Sequence, residues 1–230
     1  MSTSIAALRA LLEQRFPDAT PLTKGTQAAE HVATGLGVLD NVLPNGGLPR
    51  GRLSVWAPQG GATAILRAAC RSVVTNGERA AWIDGDNTMA GTFWDEGPYL
   101  VRPKSRLHAL RAAEELLRSG GFSLLVIAGT EPQGVEMVRL TRSARGGGAA
   151  LVTLGTSASM ASLRLTSKLL RYRWRRTPFG DPAEAQDATV RVHARSVGWN
   201  VHVDFPIPVT HHELRLSLEP ELADRRGLPR

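Results

Sequence analysis

The chain has 230 residues and a formal net charge of +7, with 42% hydrophobic and 21% charged residues. This composition is typical of a globular protein that buries its own core. It excludes a disordered chain, and the single cysteine excludes a disulfide scaffold. The charge favours an acidic partner such as nucleic acid, or else reflects an arginine-rich composition alone. Uncharged runs are too short to cross a membrane, so we expect a cytoplasmic protein with no membrane partner.

Residues 1–31 are predicted to form an N-terminal helix and linker outside the main domain. Apolar side chains recur at helical spacing over residues 4–15, and a polar linker follows over residues 18–31. The helix docks either on its own domain or on a partner protein. In the second case, the candidate partner-binding residues are Leu8, Leu11 and Leu12.

An alternation of strands and helices is predicted after residue 34. We expect strands at 53–57, 80–84, 122–128 and 149–154, and helices at 37–43, 62–75, 105–118 and 134–145. Past residue 165 we expect only strands, at 168–175, 189–195, 199–205 and 213–218. The predicted fold class is α/β: one domain over residues 32–218, with a mainly parallel sheet, helices on both faces and C-terminal antiparallel strands. A polar tail over residues 219–230 is expected to be disordered.

The most informative segment links the first long strand to the first long helix. An apolar run from Leu53 enters a turn, and helical periodicity begins at Ala62. The turn consists of Pro58, Gln59, Gly60 and Gly61. A strand, a glycine turn and a helix in this order have the layout of a nucleotide phosphate-binding loop, G-x-x-x-x-G-K-[ST].

The side chains that bind phosphate and metal in such a loop are replaced. Thr63 stands at the lysine position and Ala64 at the magnesium-binding hydroxyl, while Ala57 and Ala62 stand at the two glycines. Backbone N–H groups at a helix N-terminus still attract anions. We therefore expect no cofactor, and the loop is interpreted either as a weak anion or nucleotide site or as a purely structural turn.

Two carboxylates follow the predicted strand 80–84, at the strand end where α/β proteins place ligands. They are Asp84 and Asp86. Asp86 would activate water only beside a metal and a nucleotide, so we interpret it as the remnant of a degenerate nucleotide site that also includes residues 58–63.

The segment from Ala33 to Ala69 resembles the ATPase core of the RecA superfamily. The Thr-Gly turn, the Leu-Asp pair and the G-G-x-P-x-G approach of that family correspond to Thr34-Gly35, Leu39-Asp40 and Gly46–Gly51. Residues 81–86 resemble the second core strand and the acidic residue that polarises water in active members. The resemblance implies a RecA-like core over roughly residues 33–205.

Other positions depart from the active members of that superfamily. Ala128 stands where a metal-coordinating aspartate is expected, and Gly155-Thr156 where RecA has a glutamine that senses the γ-phosphate. The two loops that carry DNA in RecA, after residues 128 and 154, are shorter here. With Thr63 and Ala64, these changes favour a pseudo-ATPase without catalytic residues over an enzyme.

A short RecA-like chain without these groups is similar to the ImuA family. Its members accompany ImuB, an inactive polymerase homologue, and an error-prone replicative-type polymerase in bacterial translesion synthesis. The resemblance implies a non-catalytic adaptor in the SOS response to DNA damage, with ImuB, RecA and that polymerase as partners. Two alternatives stay open: a divergent DNA-dependent ATPase of the RecA superfamily, and a SulA-like inhibitor of the division protein FtsZ. The preserved Gly46–Gly51 approach favours ImuA.

The strongest positive feature is a basic run with no acidic residue between Met137 and Gly180. Strict alternation over residues 168–175 places Leu170, Tyr172 and Trp174 on one face and Arg171, Arg173 and Arg175 on the other. Clustered guanidinium groups favour phosphate, so single-stranded DNA is a candidate partner, with the aromatic rings either buried or stacked on bases. Alternatively, acidic residues from elsewhere neutralise the arginines. The candidate DNA-binding residues are Arg164, Lys168, Arg171, Arg173, Arg175 and Arg176.

The remaining candidates are expected to be structural. Arg139, Arg142 and Arg145 recur every three residues and are predicted to solvate one helix face. His193 and His202 lie on opposite strands of a predicted hairpin, but no cysteine accompanies them and their spacing fits no zinc pattern, so we predict no metal. Cys70, on the apolar face of its helix, is predicted to lie in the core.

Overall fold

The structure is a computed structural model that describes residues 30–88, 97–157, 159–176, 179 and 182–208. The side chains of residues 175–176 and 182–186 are outside this description. The predicted N-terminal helix, the predicted strand 213–218 and the polar tail also lie outside the described residues.

Strands and helices alternate through the first part of the chain, and strands follow one another in the last part. The strands are β1 (His31–Val32), β2 (Leu48–Pro49), β3 (Leu53–Trp56), β4 (Ala80–Asp84), β5 (Tyr99–Val101), β6 (Leu124–Ala128), β7 (Ala150–Leu154), β8 (Leu163–Arg176), β9 (Pro182–Ser196) and β10 (Trp199–Pro208). The α-helices are α1 (Gly37–Asp40), α2 (Ala62–Thr75), α3 (Arg106–Arg118) and α4 (Val135–Gly147).

One large sheet organises the domain, with the strand order β10-β9-β8-β3-β7-β6-β4-β5. From β8 to β5 neighbouring strands run parallel, whereas β9 and β10 are antiparallel to their neighbours. The predicted fold class is therefore confirmed: a mainly parallel α/β sheet is extended at one side by antiparallel strands. β1 and β2 form a separate two-stranded pair.

Side chains on the two faces of the sheet enter two different cores. Trp56 and Trp82 face one core, which also contains the inner face of α2 around Leu66. Leu125 faces the other, together with Leu117 of α3 and residues of α4. Because helices cover both faces, the central parallel strands are mostly apolar, with Ser54, Asp84 and Thr153 as buried polar exceptions.

The segment that leads into β3 needs particular residues at several positions. Asp40 Oδ1 accepts hydrogen bonds from the N–H (2.8 Å) and the hydroxyl (2.7 Å) of Thr34, which ties the start of the domain to α1. Gly35 has φ +75° and packs against Ser72 of α2. A Cβ at Gly47 would lie 2.3 Å from the carbonyl oxygen of Val32, so only glycine allows this close backbone approach.

The observed elements correct several predicted boundaries. The helix predicted at 37–43 ends at Asp40, because Leu43 precedes Pro44 and adopts an extended conformation. The strand predicted at 168–175 begins earlier, at Leu163, where it pairs with β3, and β9 and β10 are also longer than predicted. The short edge strand β5 was not predicted, since three residues give too little periodicity.

Candidate functional site

The loop between β3 and α2 lies at the carboxyl end of the parallel sheet, as the sequence predicts. Ala57 donates its N–H to the carbonyl oxygen of Leu165 in β8 (2.9 Å), so the loop starts while still attached to the neighbouring strand. Gly61 has φ +91° and immediately precedes the helix, a conformation that favours glycine. Thr63 and Ala64, at the lysine and hydroxyl positions, lie half-buried in the first turn of α2.

Side chains and backbone of the C-terminal strands fill the space against this loop. A Cβ at Gly60 would lie 2.7 Å from the backbone nitrogen of Leu169 in β8. A Cβ at Gly61 would lie 3.0 Å from Val190 and 3.5 Å from Ile207. The two glycines therefore permit close packing of protein against the loop, and the N-terminus of α2 is covered on this side by apolar side chains.

Hydrogen bonds fix the loop against β8. The buried hydroxyl of Ser167 accepts a hydrogen bond from Trp56 Nε1 (3.2 Å) and donates one to the carbonyl oxygen of Gln59 (2.9 Å). Within the loop, the N–H of Gln59 binds the carbonyl of Ala57, and the N–H of Ala62 binds the carbonyl of Gln59. Pro58 has no N–H, so at Pro58, Gln59 and Ala62 the backbone donor that a phosphate would use is absent or already used inside the protein.

The two aspartates after β4 have different environments. Asp84 is fully buried and accepts hydrogen bonds from the N–H (3.1 Å) and hydroxyl (3.4 Å) of Thr88, with Arg102 Nε 3.9 Å away. Asp86 is exposed and packs against Gly129. A Cβ at Gly129 would lie 2.4 Å from the carboxyl carbon of Asp86. Asp84 therefore braces the segment that follows β4, and its partners Thr88 and Arg102 could not be assigned from the sequence.

A glutamate that the sequence interpretation did not single out joins the loops after β6 and β7. Glu131 Oε1 accepts hydrogen bonds from the N–H groups of Thr156 (2.7 Å) and Ser157. Gly155 allows this approach, because a Cβ there would lie 2.6 Å from the same oxygen. The position where a γ-phosphate sensor is expected is thus bound to a carboxylate of the protein itself.

An ion pair supports the segment just beyond this glutamate. Arg106, at the start of α3, binds both carboxylate oxygens of Glu136 and the carbonyl oxygen of Glu131. The hydrogen bond from Arg106 is the main reason that the pKa of Glu136 lies below its ordinary value. The segment 131–136 is consequently held against α3.

A bulge in β8 decides where its basic residues point. Lys168 pairs with Arg191 of β9, and Arg171 pairs with Thr189, so one extra residue, Leu170, lies between them in β8. Since Arg191 and Thr189 are two positions apart on β9, they share a face, and Lys168 and Arg171 share it too. Strict alternation, which would put Lys168 on the opposite face, is therefore wrong at this point.

The basic residues whose side chains are described lie together on an exposed surface, which we call the outer face. It is the side of β8, β9 and β10 that points away from α2 and from the loop between β3 and α2. From β8 it carries Arg164, Lys168, Arg171 and Arg173, all exposed. Arg175 and Arg176 belong to β8, but their side chains lie outside the described part.

Acidic residues of β9 and β10 neutralise part of this charge. Arg173 forms an ion pair with Asp187, and Arg191 binds Asp204 through two hydrogen bonds of 2.7 Å. The hydrogen bonds from Arg191 are the largest cause of a lowered pKa at Asp204. Arg171 instead donates Nε–H to the hydroxyl of Thr189 (3.3 Å), which leaves its charge available.

The aromatic side chains of β8 lie on the opposite side from these arginines. Tyr172 is half-buried against the core, whereas Trp174 is 43% exposed, and their ring centroids are 6.1 Å apart. Over residues 171–174 the arginines and the aromatic residues thus lie on opposite faces, as predicted. Leu170 is the extra residue of the bulge and is not part of this alternation. One of the two rings, Trp174, is accessible to a ligand.

The other candidates have structural surroundings. Arg139 pairs with Glu114 of α3, and the backbone of Arg145 contacts Gly51. Cys70 is fully buried, and burial raises the pKa of its thiol. Within the described ranges, no group of three metal-binding side chains occurs. Among the described helices, none has the length and apolar character to span a membrane.

Fold and loop together define an α/β protein with a RecA-like core. No protein-family model matches the chain. It is similar to RecA of Dichelobacter nodosus (29% identical over 137 residues, 54% of this chain and 39% of that protein). RecA of Halalkalibacterium halodurans is 35% identical over 128 residues (50% and 36%), and RecA of Borrelia hermsii is 32% identical over 161 residues (66% and 41%). These similarities support a RecA-like superfamily relationship for a chain that spans about two fifths of the length of these relatives.

Proposed function

We propose that this chain is a non-catalytic RecA-like adaptor in bacterial mutagenic translesion DNA synthesis. Its proposed partners are ImuB, RecA, the error-prone replicative-type polymerase and single-stranded DNA, and its proposed location is the cytoplasm. In this proposal the α/β core is a rigid support for binding surfaces, and no nucleotide is turned over.

The packing of the loop between β3 and α2 is the observation that carries the non-catalytic part. A working phosphate loop needs an open space lined by N–H groups, a lysine and a metal-binding hydroxyl. Here Leu169, Val190 and Ile207 approach the loop glycines closely, and the lysine and hydroxyl positions hold Thr63 and Ala64. Both the space and the charge that a nucleoside triphosphate needs are therefore reduced.

The proposed DNA contact rests on the outer face. Its arginines and Lys168 are exposed, and flexible cationic side chains on an open surface bind phosphodiester backbones without sequence preference. The proposed protein contact rests on Leu8, Leu11 and Leu12, because an apolar stripe at helical spacing fits a groove on another protein.

Co-purification with ImuB, combined with nucleotide titration, tests the proposal. We expect the chain to retain ImuB, and the triple variant Leu8→Ala, Leu11→Ala, Leu12→Ala to retain less, because the apolar stripe is lost. The matched control changes the polar positions Ser4→Ala and Gln14→Ala of the same segment. In parallel, calorimetry with magnesium–ATP is expected to show no micromolar binding, and purified protein no phosphate release.

The outcomes separate the alternatives. Tight ATP binding, with turnover abolished by Asp86→Asn, would establish a divergent ATPase and reject the adaptor. Depression of FtsZ GTPase activity without ImuB or DNA binding would establish the SulA-like alternative. Equal retention of ImuB by the triple variant and the control would remove the leucine stripe from the interface.

A further inference from the structure

The outer face is a grid of side chains, because β8 pairs with β9 and β9 with β10, and between Arg164 and Arg173 only the bulge at Leu170 interrupts the pairing. Residues directly opposite each other on neighbouring strands share a face, so each row across the three strands can be read from the pairing. The first three rows are Arg164–Arg195–Asn200, Thr166–His193–His202 and Lys168–Arg191–Asp204, and the fourth is Arg171–Thr189–Pro206. Arg173 and Asp187 begin the fifth.

Positive charge continues onto β9, which the sequence interpretation did not include. Arg195 lies opposite Arg164, and Arg191 lies opposite Lys168. Like charges directly across a ladder repel each other, and since Asp204 binds Arg191, the charge of these rows is offset in part but stays positive, which favours an anion above them. From Arg164 to Arg173 the rows extend about 27 Å at the usual strand rise, a length that suits a polymer of phosphates rather than a single small anion.

A pair of histidines lies in the second row of this grid, between the rows of Arg195 and Arg191. His193 of β9 and His202 of β10 are direct partners in the ladder, both are exposed, and their ring centroids lie 5.4 Å apart with a tilt of 35°. Histidine is the side chain that ordinarily gains its charge between neutral and mildly acidic pH. Two charged rings at this separation repel each other, and a phosphate above them would relieve that repulsion.

We propose that the outer face binds the phosphates of a nucleic acid strand and that His193 and His202 join those contacts on protonation, so that affinity rises in mild acid. This inference rests on the DNA contact of the proposed function and adds a regulation of that contact. By linkage, a strand that binds the protonated pair more tightly also draws protons onto it.

The residues around His193 and His202 determine which counter-charge the two rings attract when they are protonated. From β8, Thr166 faces it without charge, between Arg164 and Lys168. From β9, Arg191 and Arg195 flank it, and from β10, Asp204 is the nearby carboxylate and Asn200 is neutral. Asp204 is already bound to Arg191 through two hydrogen bonds, so the surroundings of the pair stay cationic and favour a phosphate as the added counter-charge.

Binding of rhodamine-labelled oligothymidylate, measured by fluorescence anisotropy, tests this inference. We expect the affinity to rise roughly 5-fold or more between about pH 7.5 and pH 6, and the slope of log K against log salt to steepen by about 0.7 for each additional phosphate that the protein neutralises. The double variant His193→Gln, His202→Gln should lose most of this rise, which is measured as the ratio of its affinities at the two pH values. The control His108→Gln, on α3 and hydrogen-bonded to Ser105, should keep the rise.

Each outcome decides a separate point. A pH response in the double variant equal to that of the unchanged protein would overturn the histidine role and leave the DNA contact intact. No binding at either pH would reject the DNA contact and this inference with it. Thermal denaturation of each variant at both pH values verifies that the differences come from binding and not from unfolding.

Discussion

The two sides of the C-terminal sheet have opposite character, although they are formed by the same three strands. The inner side of β8, β9 and β10 places Leu169, Val190 and Ile207 against the loop that precedes α2. The outer side carries exposed arginine, lysine and histidine side chains. In a strand, successive side chains point to opposite faces, so the same three strands pack apolar side chains against the loop and present basic side chains on their other face.

The largest expected effect concerns the inner side. Ile207→Ala should lower the free energy of unfolding by about 2–4 kcal/mol, because it removes a buried side chain and leaves a cavity over Gly61. Urea denaturation measures the change. Asn200→Ala, exposed on the same strand, is the matched control and should stay within about 0.5 kcal/mol. A loss for Ile207→Ala no larger than that of the control would show that the inner side does not seal the loop.

The next effect concerns the outer side. Arg171→Glu combined with Arg173→Glu should weaken binding of single-stranded DNA by roughly 10-fold or more at moderate salt, because phosphate contacts are lost and repulsion is added. The control Arg111→Glu with Arg118→Glu makes the same change in net charge on the exposed face of α3. Fluorescence polarisation measures both. Equal weakening by the two variants would mean that only overall charge matters and that the outer face is not the binding surface.

The smallest expected effect concerns neither side of the C-terminal strands but the loops at the carboxyl end of the parallel sheet. Glu131→Gln should cost about 1 kcal/mol of stability, since a neutral oxygen still accepts the hydrogen bonds from Thr156 and Ser157 but without charge assistance. Hydrogen exchange at those two amides should accelerate more than exchange in β8. Unchanged protection at Thr156 and Ser157 would contradict a role for Glu131 in joining the two loops.

The sequence predicts the parallel part of the fold well. Strand 80–84 and helix 62–75 coincide with the observed Ala80–Asp84 and Ala62–Thr75, because continuous apolar runs and helical periodicity carry unambiguous local signals. The start of β8 was missed, because the buried polar residue Ser167 interrupts the apolar alternation that Leu163 and Leu165 begin.

The candidate site was predicted less completely, because its decisive contacts link residues far apart in the chain. The replaced loop side chains are visible in the sequence, but the packing of Val190 and Ile207 on Gly61 is not. Likewise, Glu131 finds its partners at Thr156 and Ser157, after the next strand. Only the pairing of strands, which a single sequence does not specify, brings Arg191 and Arg195 beside the basic residues of β8.

The bulge at Leu170 makes this residue the one position in the middle of β8 whose loss the ladder can absorb. If Leu170 were deleted, Arg171 would follow Leu169 directly, and regular alternation would keep Arg171 opposite Thr189 and Tyr172 opposite Ala188. A single-codon deletion here should therefore leave the basic and apolar faces unchanged. Related chains that lack this residue would keep the same surface without exchanging any basic and apolar positions.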